Sequence, residues 1–259
     1  MVAPPVRAAA NATSAVMAAA SADDAVAAAT AAPLPVSPSH GCPVEALLAA
    51  PTVCLPALRQ AVFTGCPPHC RAAAYRLLLG LVPAEAARRP AATARRRAEY
   101  AAAVALLPPP ALSLGGGGSS GGCPGIQRRS HYLATLLGRV DPPLAAHLGT
   151  THGVPFLSFT VRWFGCLLVR EFRSLPALLR LWDGLVAEEA GWAHFAVYVV
   201  AALLVERRAA LLSAADFGGV VRVLLTPVGG GGGALGGVLG RAWVWRESFR
   251  GLHERALGV

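Results

Sequence analysis

Lysine is absent from this chain of 259 residues, so all 23 basic side chains are arginines. Without lysine there is no Walker-type phosphate loop and no Schiff-base lysine, which excludes the usual P-loop nucleotidases and pyridoxal phosphate enzymes. Isoleucine and asparagine occur once each, a bias typical of GC-rich coding sequence. Six cysteines are too few for a disulfide-stapled fold, so reduced thiols are expected.

Long apolar runs and paired metal ligands are also missing. The longest strongly apolar run is 195–205, about half of the roughly 20 residues that a membrane-spanning helix needs. Residues 1–40 hold no compact apolar region of the kind found in signal peptides, while an organelle transit peptide remains an alternative. Cys66, His69 and Cys70 lie close together, but no second pair of ligands follows them. A structural zinc site needs four ligands, so no metal site is predicted.

What the sequence has in abundance is apolar and chain-breaking residues, with 54% hydrophobic residues, 28 glycines and 21 prolines. Apolar residues recur at helical spacing and no segment alternates with period two, which predicts an all-α fold. Composition predicts a disordered N-terminus over 1–40 and a Gly/Pro-rich linker over 108–123. The linker separates helical parts at 44–107 and 124–258.

Three helix boundaries can be predicted individually. Thr93 is expected to cap a helix that runs to about Leu107. One amphipathic helix is expected over 156–172, and a capping box over 213–216 is expected to start a helix that ends near Leu225.

The chain contains no recognisable catalytic constellation. There is no HExxH, no G-x-S-x-G and no carboxylate pair in an apolar setting. Glu188 and Glu189 are interpreted as a solvated helix end, and His194 as a packed histidine. No catalytic, cofactor-binding or metal-binding residue is therefore predicted, which favours a regulator or binding module over an enzyme.

A net charge of +9 leaves two interpretations open. The charge suits an acidic partner or an anionic membrane surface, and it also suits an arginine-rich proteome with solvated helix faces. Neither zinc-finger spacing nor an RNP-like aromatic strand is present, so nucleic acid is not a predicted partner. The arginines at 88, 89, 95, 96 and 97 carry the same ambiguity.

Several motifs occur together in a characteristic order. Residues 65–83 read GCPPHCRAAAYRLLLGLVP, followed by RRP at 88–90 and RRRAEY at 95–100. After the linker come PGIQ at 124–127, FTVRW at 159–163, LLVRE at 167–171 and RLWD at 180–183. Together these segments resemble the TBC domain of Rab GTPase-activating proteins over about 55–107 and 124–255. The residues that carry the resemblance are Gly65, Pro67, Arg71, Tyr75, Arg162, Trp163, Arg170, Glu171, Arg180, Trp182 and Asp183.

The resemblance implies an all-α regulator of Rab GTPases in vesicle trafficking. It implies a Rab-family GTPase as the partner, no cofactor, and a cytoplasmic location, with peripheral contact to anionic endomembranes as an alternative. In this family the activator supplies an arginine from I-x-x-D-x-x-R and a glutamine from Y-x-Q-G. An arginine finger of that kind accelerates phosphoryl transfer by several orders of magnitude.

The sequence departs from the family at both finger motifs. No aspartate is followed three positions later by arginine; the residues there are Val26, Ala27, Leu144, Val186 and Gly219. The two glutamines, Gln60 and Gln127, precede alanine and arginine rather than glycine. The prediction is therefore a TBC-like helical domain with a truncated middle. Either coding sequence between about Leu107 and Pro124 has been lost, or this is a non-catalytic relative that binds a Rab or another acidic partner.

The resemblance residues are expected to have mainly structural roles. Arg71 is expected to pair or cap within the N-terminal helices, and Arg180 to pair with Asp183 at i, i+3. Trp163 and Trp182 are expected to anchor a core. Arg162 and Arg173 fall on nearly one helix face, with Arg170 a quarter turn away, and that face either meets an acidic partner or is solvated.

Overall fold

A computed structural model describes residues 42–106, 124–228 and 232–250, and within these ranges the chain is helical and contains no β-strand. The all-α prediction is confirmed. The predictions for 1–40 and 108–123 lie outside the described residues. The described helices are α1 (Pro43–Ala49), α2 (Leu55–Thr64), α3 (Pro68–Leu78), α4 (Arg89–Leu106), α5 (Pro124–Val140), α6 (Pro142–Ala146), α7 (Phe156–Gly165), α8 (Leu175–Val186), α9 (Trp192–Glu206), α10 (Arg208–Leu212), α11 (Phe217–Leu225) and α12 (Gly232–Ser248).

Prolines and short polar caps start many of these helices. A proline occupies the first or second position of α1, α2, α3, α6 and α8, where its missing N–H costs no helical hydrogen bond. The carboxylate of Asp141 accepts a hydrogen bond from the Leu144 N–H, and Asp216 caps α11 in the same way through Gly219. Pro68 opens α3, and Gly80 adopts a positive φ of 67° just beyond its end.

Three predicted boundaries are wrong. Helix α4 begins at Arg89 rather than after Thr93, because a 3₁₀ turn over Ala86–Arg88 leads directly into it. The N-cap of α11 is Asp216, the last residue of the expected capping box. The expected helix over 156–172 ends at Gly165, since Leu167 and Leu168 both adopt left-handed backbone angles.

The larger core surrounds α9. This helix packs against α5, α12 and α8, and ten of its fifteen residues are buried. Tyr132 of α5 and Tyr198 of α9 join their hydroxyls at 2.6 Å inside this core, and Ser130 hydrogen-bonds to Thr160 between α5 and α7. These pairs satisfy hydroxyls that would otherwise be costly to bury.

A smaller core lies between α1, α2 and α3. Its buried side chains include Val44, Leu58, Val62 and Leu77. Phe63 contacts both cores, and α2 packs against α8. The N-terminal helices are therefore joined to the larger core through α8.

Helix α4 lies outside both cores. None of its eighteen residues is buried. Across the described ranges, no helix combines the length and the apolarity that a membrane crossing requires.

Candidate functional site

Asp183 on α8 lies at the junction between the two helical parts, and its carboxylate accepts four hydrogen bonds there. Arg71 donates to it from Nε at 2.9 Å and from Nη2 at 3.1 Å, the Tyr75 hydroxyl donates at 2.8 Å, and the Cys66 backbone N–H donates at 2.9 Å. Asp183 is completely buried. We call Asp183, Arg71, Tyr75 and Cys66 the Asp183 clamp.

Local backbone geometry sets the donors of the clamp in place. Gly65 ends α2 with φ at +131°, a conformation that residues with a side chain rarely adopt. Pro67 precedes α3, and Arg71 follows one turn into that helix. Arg71 Nη2 also donates to the Cys66 carbonyl at 2.6 Å, which fixes the guanidinium against the turn. This turn and the first turns of α3 therefore bring the side chains of Arg71 and Tyr75 within hydrogen-bond distance of Asp183.

One sequence prediction about this region is incomplete and another is wrong. Arg71 does donate within the N-terminal helices, to the Cys66 carbonyl, but it also pairs with a carboxylate 112 positions away, which was not predicted. Arg180 does not pair with Asp183, because Arg71 and Tyr75 already occupy that carboxylate. The Arg180 side chain instead lies half-buried about 3.6 Å from where a Cβ on Gly65 would be, and burial lowers its pKa.

The clamp is suited to holding helices together rather than to proton transfer. Burial and the bond to Asp183 raise the pKa of the Tyr75 hydroxyl. Burial and the Asp183 charge raise the pKa of the Cys66 thiol to about 11, so it stays protonated and unreactive at neutral pH. Breaking one side of such a buried charge pair typically costs about 3–5 kcal/mol of folding free energy.

A second buried ion pair joins α7 to the segment that follows it. Arg162 donates to both carboxylate oxygens of Glu171 at 2.8 Å, a bidentate arrangement, and Glu171 is only 1% exposed. Burial raises the pKa of Glu171, and the Arg162 charge opposes that shift. The left-handed turn at Leu167 and Leu168 brings Glu171 back towards α7.

The two tryptophans of the resemblance anchor this region, as predicted. Trp163 is buried, and the Arg207 guanidinium stacks over its ring at 5.6 Å. Trp182 is partly buried and donates its indole N–H to the Leu167 carbonyl at 3.0 Å, which holds the left-handed turn. Arg207 also donates to the Val223 carbonyl near the end of α11.

The predicted arginine face is divided by the structure. Arg162 is directed into the pair with Glu171, whereas Arg170 and Arg173 are exposed. Leu157 and Val161 of α7 are also exposed, as is Val169 next to Arg170 in the chain.

The residues proposed as a solvated helix end behave differently from each other. Glu189 is exposed, but Glu188 is buried and accepts two hydrogen bonds at 2.9 Å from Arg246 of α12. The sequence interpretation missed this because the partner lies 58 positions away. His194 packs edge-to-face against Tyr198, and burial with the charges of Arg246 and Arg250 lowers its pKa to about 4.

Among the described residues no three histidine, cysteine or acidic side chains form a group that could hold a metal ion. Cys66 and Cys70 are buried in the smaller core, and His69 lies near Glu45 on the surface. In the part of the chain that the structure describes, the resemblance residues thus form two buried ion-pair clusters and a basic surface.

Comparison with known proteins shows which domain the segment around these clusters is similar to. Residues 119–212 match the model of the Rab-GTPase-TBC domain. The matched segment is just over a third of the chain, and over that segment the chain is similar to the TBC domain. The matched segment contains Arg162, Glu171 and Asp183, whereas the N-terminal half of the clamp lies outside it.

Curated TBC relatives match a limited stretch. The chain is 45% identical over 82 residues to the GTPase-activating protein gyp1 of Schizosaccharomyces pombe, which covers 31% of this chain and 16% of that protein. It is 42% identical over 81 residues to human TBC1 domain family member 22A, covering 31% of this chain and 15% of that protein. The match thus spans about a sixth of the length of these TBC relatives.

A solved structure matches over a larger part. The Ypt/Rab-GAP domain of Gyp1p aligns with a TM-score of 0.68 and 18% identity, covering 79% of this chain and 97% of that domain. This likeness establishes the all-α TBC fold, and it extends beyond the segment that the family model matches.

Proposed function

We propose that this chain is a TBC-like regulator that binds a Rab-family GTPase. The observation that carries the proposal is the Asp183 clamp. It joins residues 65–75, which lie outside the matched segment, to Asp183 within it, through four hydrogen bonds of 2.8–3.1 Å. The motifs of both halves are therefore parts of one packed domain, which supports a common binding role. We place this role on the cytoplasmic side of endomembranes, where a net charge of +9 suits anionic lipid.

We further propose that this chain binds its GTPase without accelerating hydrolysis. Acceleration requires a group that stabilises charge on the transferred phosphoryl and a group that orients the attacking water. The sequence has no arginine in the D-x-x-R context and no glutamine followed by glycine. A substitute arginine needs a position held to within about 0.5 Å. The contacts of the exposed α4 arginines are on the surface, Arg95 with the Glu99 carboxylate and Arg96 with the Gly80 carbonyl, and such contacts exchange easily.

The test separates binding from acceleration. A panel of purified Rab GTPases is loaded with a non-hydrolysable GTP analogue or with GDP, and binding of the full chain is measured by biolayer interferometry. We expect binding to at least one analogue-loaded Rab. Failure to bind any Rab in either nucleotide state would contradict the proposed function.

Single-turnover phosphate release with the chain in excess then tests acceleration, with fission yeast gyp1 as the positive control. We expect less than about a twofold effect from this chain, because both groups required for acceleration are missing. A stimulation of about a hundredfold that is lost on changing Arg95, Arg96 or Arg97 to alanine would show that α4 supplies the missing arginine.

A comparison of transcripts tests the truncated middle. If coding sequence between Leu107 and Pro124 has been lost from this version, a longer transcript is expected, and its product should accelerate hydrolysis. Reads that run through this junction with no longer form would identify the chain as a non-catalytic relative.

A further inference from the structure

Helix α4 is long but makes few contacts with the rest of the protein. None of its eighteen residues is buried, and its main ties to the body are hydrogen bonds from arginines to loop carbonyls. Arg89 donates to the Ala84 carbonyl and Arg96 to the Gly80 carbonyl, both at 2.8 Å. Tyr100 and Leu106 are 73% and 85% exposed. Large exposed apolar side chains on one helix are typical of a surface that a partner covers.

A groove of about 700 Å³ separates α4 from α3 and the loop after it. Its floor is apolar and includes Leu55, Leu77 and Val82. The side chains of Arg88, Arg95 and Arg96 line the α4 side. No carboxylate is among the described residues that line it, so the groove has an apolar floor and a positive rim.

The charges near the rim remain positive after their ion pairs are counted. Glu85 contacts Arg88 at 3.3 Å and Glu99 contacts Arg95 at 3.4 Å, and all four side chains are exposed. Exposed pairs of this kind contribute about 0–1 kcal/mol and are easily exchanged for another carboxylate. The five arginines of 88–97 outnumber these two glutamates, so the rim favours an anionic occupant.

We propose that this groove binds an acidic amphipathic protein segment, with its apolar side chains on the floor and its carboxylates against Arg88 and Arg95. A helix that lies in an apolar groove and is oriented by rim charges is a recurring recognition mode. The concave floor favours a peptide over a membrane, since a flat lipid surface would reach the arginines but not Leu77 beneath them. Occupancy of this groove does not require that the chain bind a Rab.

The probe is a fluorescein-labelled peptide of the 18-residue length of α4, with leucines at helical spacing and glutamates elsewhere. Two control peptides replace every glutamate with lysine or every leucine with serine. Fluorescence anisotropy with the full chain is expected to show saturable binding of the acidic amphipathic peptide alone. Equal binding of the lysine peptide or of the serine peptide would overturn the proposal, because the rim or the floor would then contribute nothing.

Matched variants locate the binding site. Arg95→Glu is expected to weaken peptide binding about fivefold or more at about 50 mM salt. Arg97→Glu makes the same charge change on α4 but outside the groove, and it is expected to have less than half that effect. Ala91 lines the groove, whereas Ala94 does not, and both are exposed alanines of α4. Ala91→Trp should abolish binding and Ala94→Trp should leave it unchanged. Equal effects within either pair would place the peptide elsewhere and overturn the proposal.

Two other occupants are tested alongside. The chain is also sedimented with phosphatidylserine vesicles. If it co-sediments, Arg95→Glu does not, and no peptide binds, then the rim is a membrane contact and the proposal is overturned. Self-association that is lost in Ala91→Trp, again without peptide binding, would make a second copy of the chain the occupant, with the same consequence.

Discussion

Helices α4 and α9 are of similar length but are stabilised in different ways. Helix α4 has eighteen residues and none is buried, whereas α9 has fifteen and ten are buried. Alanine and arginine, which fill α4, are among the best helix formers, while α9 contains four valines, which are poorer ones. Local propensity favours the first helix and tertiary packing maintains the second.

The contrast extends to what each helix does for the protein. Because α9 contacts α5, α8 and α12, its loss would open the larger core. Helix α4 is fixed by arginine contacts to carbonyls and by an exposed pair between Arg95 and Glu99. We therefore expect α9 to define global stability and α4 to open locally at low free-energy cost.

The largest expected effect tests whether burial explains this contrast. Phe195 of α9 is fully buried with its ring centroid 6.0 Å from that of Phe63. Phe195→Ala should lower the free energy of unfolding by about 3–5 kcal/mol, through lost burial and the cavity it leaves. Tyr100→Ala on α4 should change it by less than about 0.5 kcal/mol. Urea denaturation followed by circular dichroism measures both, and equal losses would show that α4 is packed in solution.

A smaller loss of folding free energy is expected where the clamp joins α2 and α3 to α8. Asp183→Asn keeps the size of the side chain and one acceptor oxygen but removes the charge that Arg71 and Tyr75 share. We therefore expect the free energy of unfolding to fall by about 2–3 kcal/mol, which is less than the loss of about 3–5 kcal/mol for a fully broken pair. Amide exchange should rise in α2 and α3 more than in α9, because the clamp holds those helices to α8.

Asp216→Asn is the matched control for this change. Asp216 is exposed, and asparagine caps a helix about as well as aspartate, so little change is expected. If Asp183→Asn lowers protection from amide exchange in α9 as much as in α3, then the N-terminal helices and the larger core unfold as one unit.

The smallest expected effect is pH-dependent and distinguishes α9 from α4. The folded state lowers the pKa of His194 to about 4, so the unfolded chain binds a proton more readily. The contribution of neutral His194 to the free energy of unfolding should be fully present above the ordinary histidine pKa of about 6.5. It should fall by on the order of 2 kcal/mol as the pH decreases towards 4. His194→Phe should flatten this part of the profile. Helix α4 contains no histidine, so its local opening should not share this step.

Urea titrations between these pH values, with amide exchange for α4, give the measurement. Profiles with the same slope in the parent chain and in His194→Phe would assign the acid sensitivity to other groups.

Much of the fold followed from local sequence. The apolar periodicity predicted the all-α class and the start of α7 at Phe156, and the end of α11 at Leu225 was also predicted. The prediction failed at Leu167 and Leu168, because their left-handed angles depend on a bond from Trp182 that lies 15 positions away. The resemblance included Arg71, Tyr75 and Asp183 but did not predict that they meet, because Arg71 was expected to bond within the N-terminal helices alone.

The amino-acid sequence by itself determined the helical class, the absence of both finger motifs and the order of the TBC motifs, since each depends on residue types and short spacings. Only the tertiary structure decided which charges meet. Asp183 lies closer in sequence to Arg180 than to Arg71, yet it pairs with Arg71, and Glu188 pairs with Arg246, which lies 58 positions away. The reason is physical: a buried carboxylate needs the donors that folding brings around it, and packing between helices, rather than distance along the chain, places those donors.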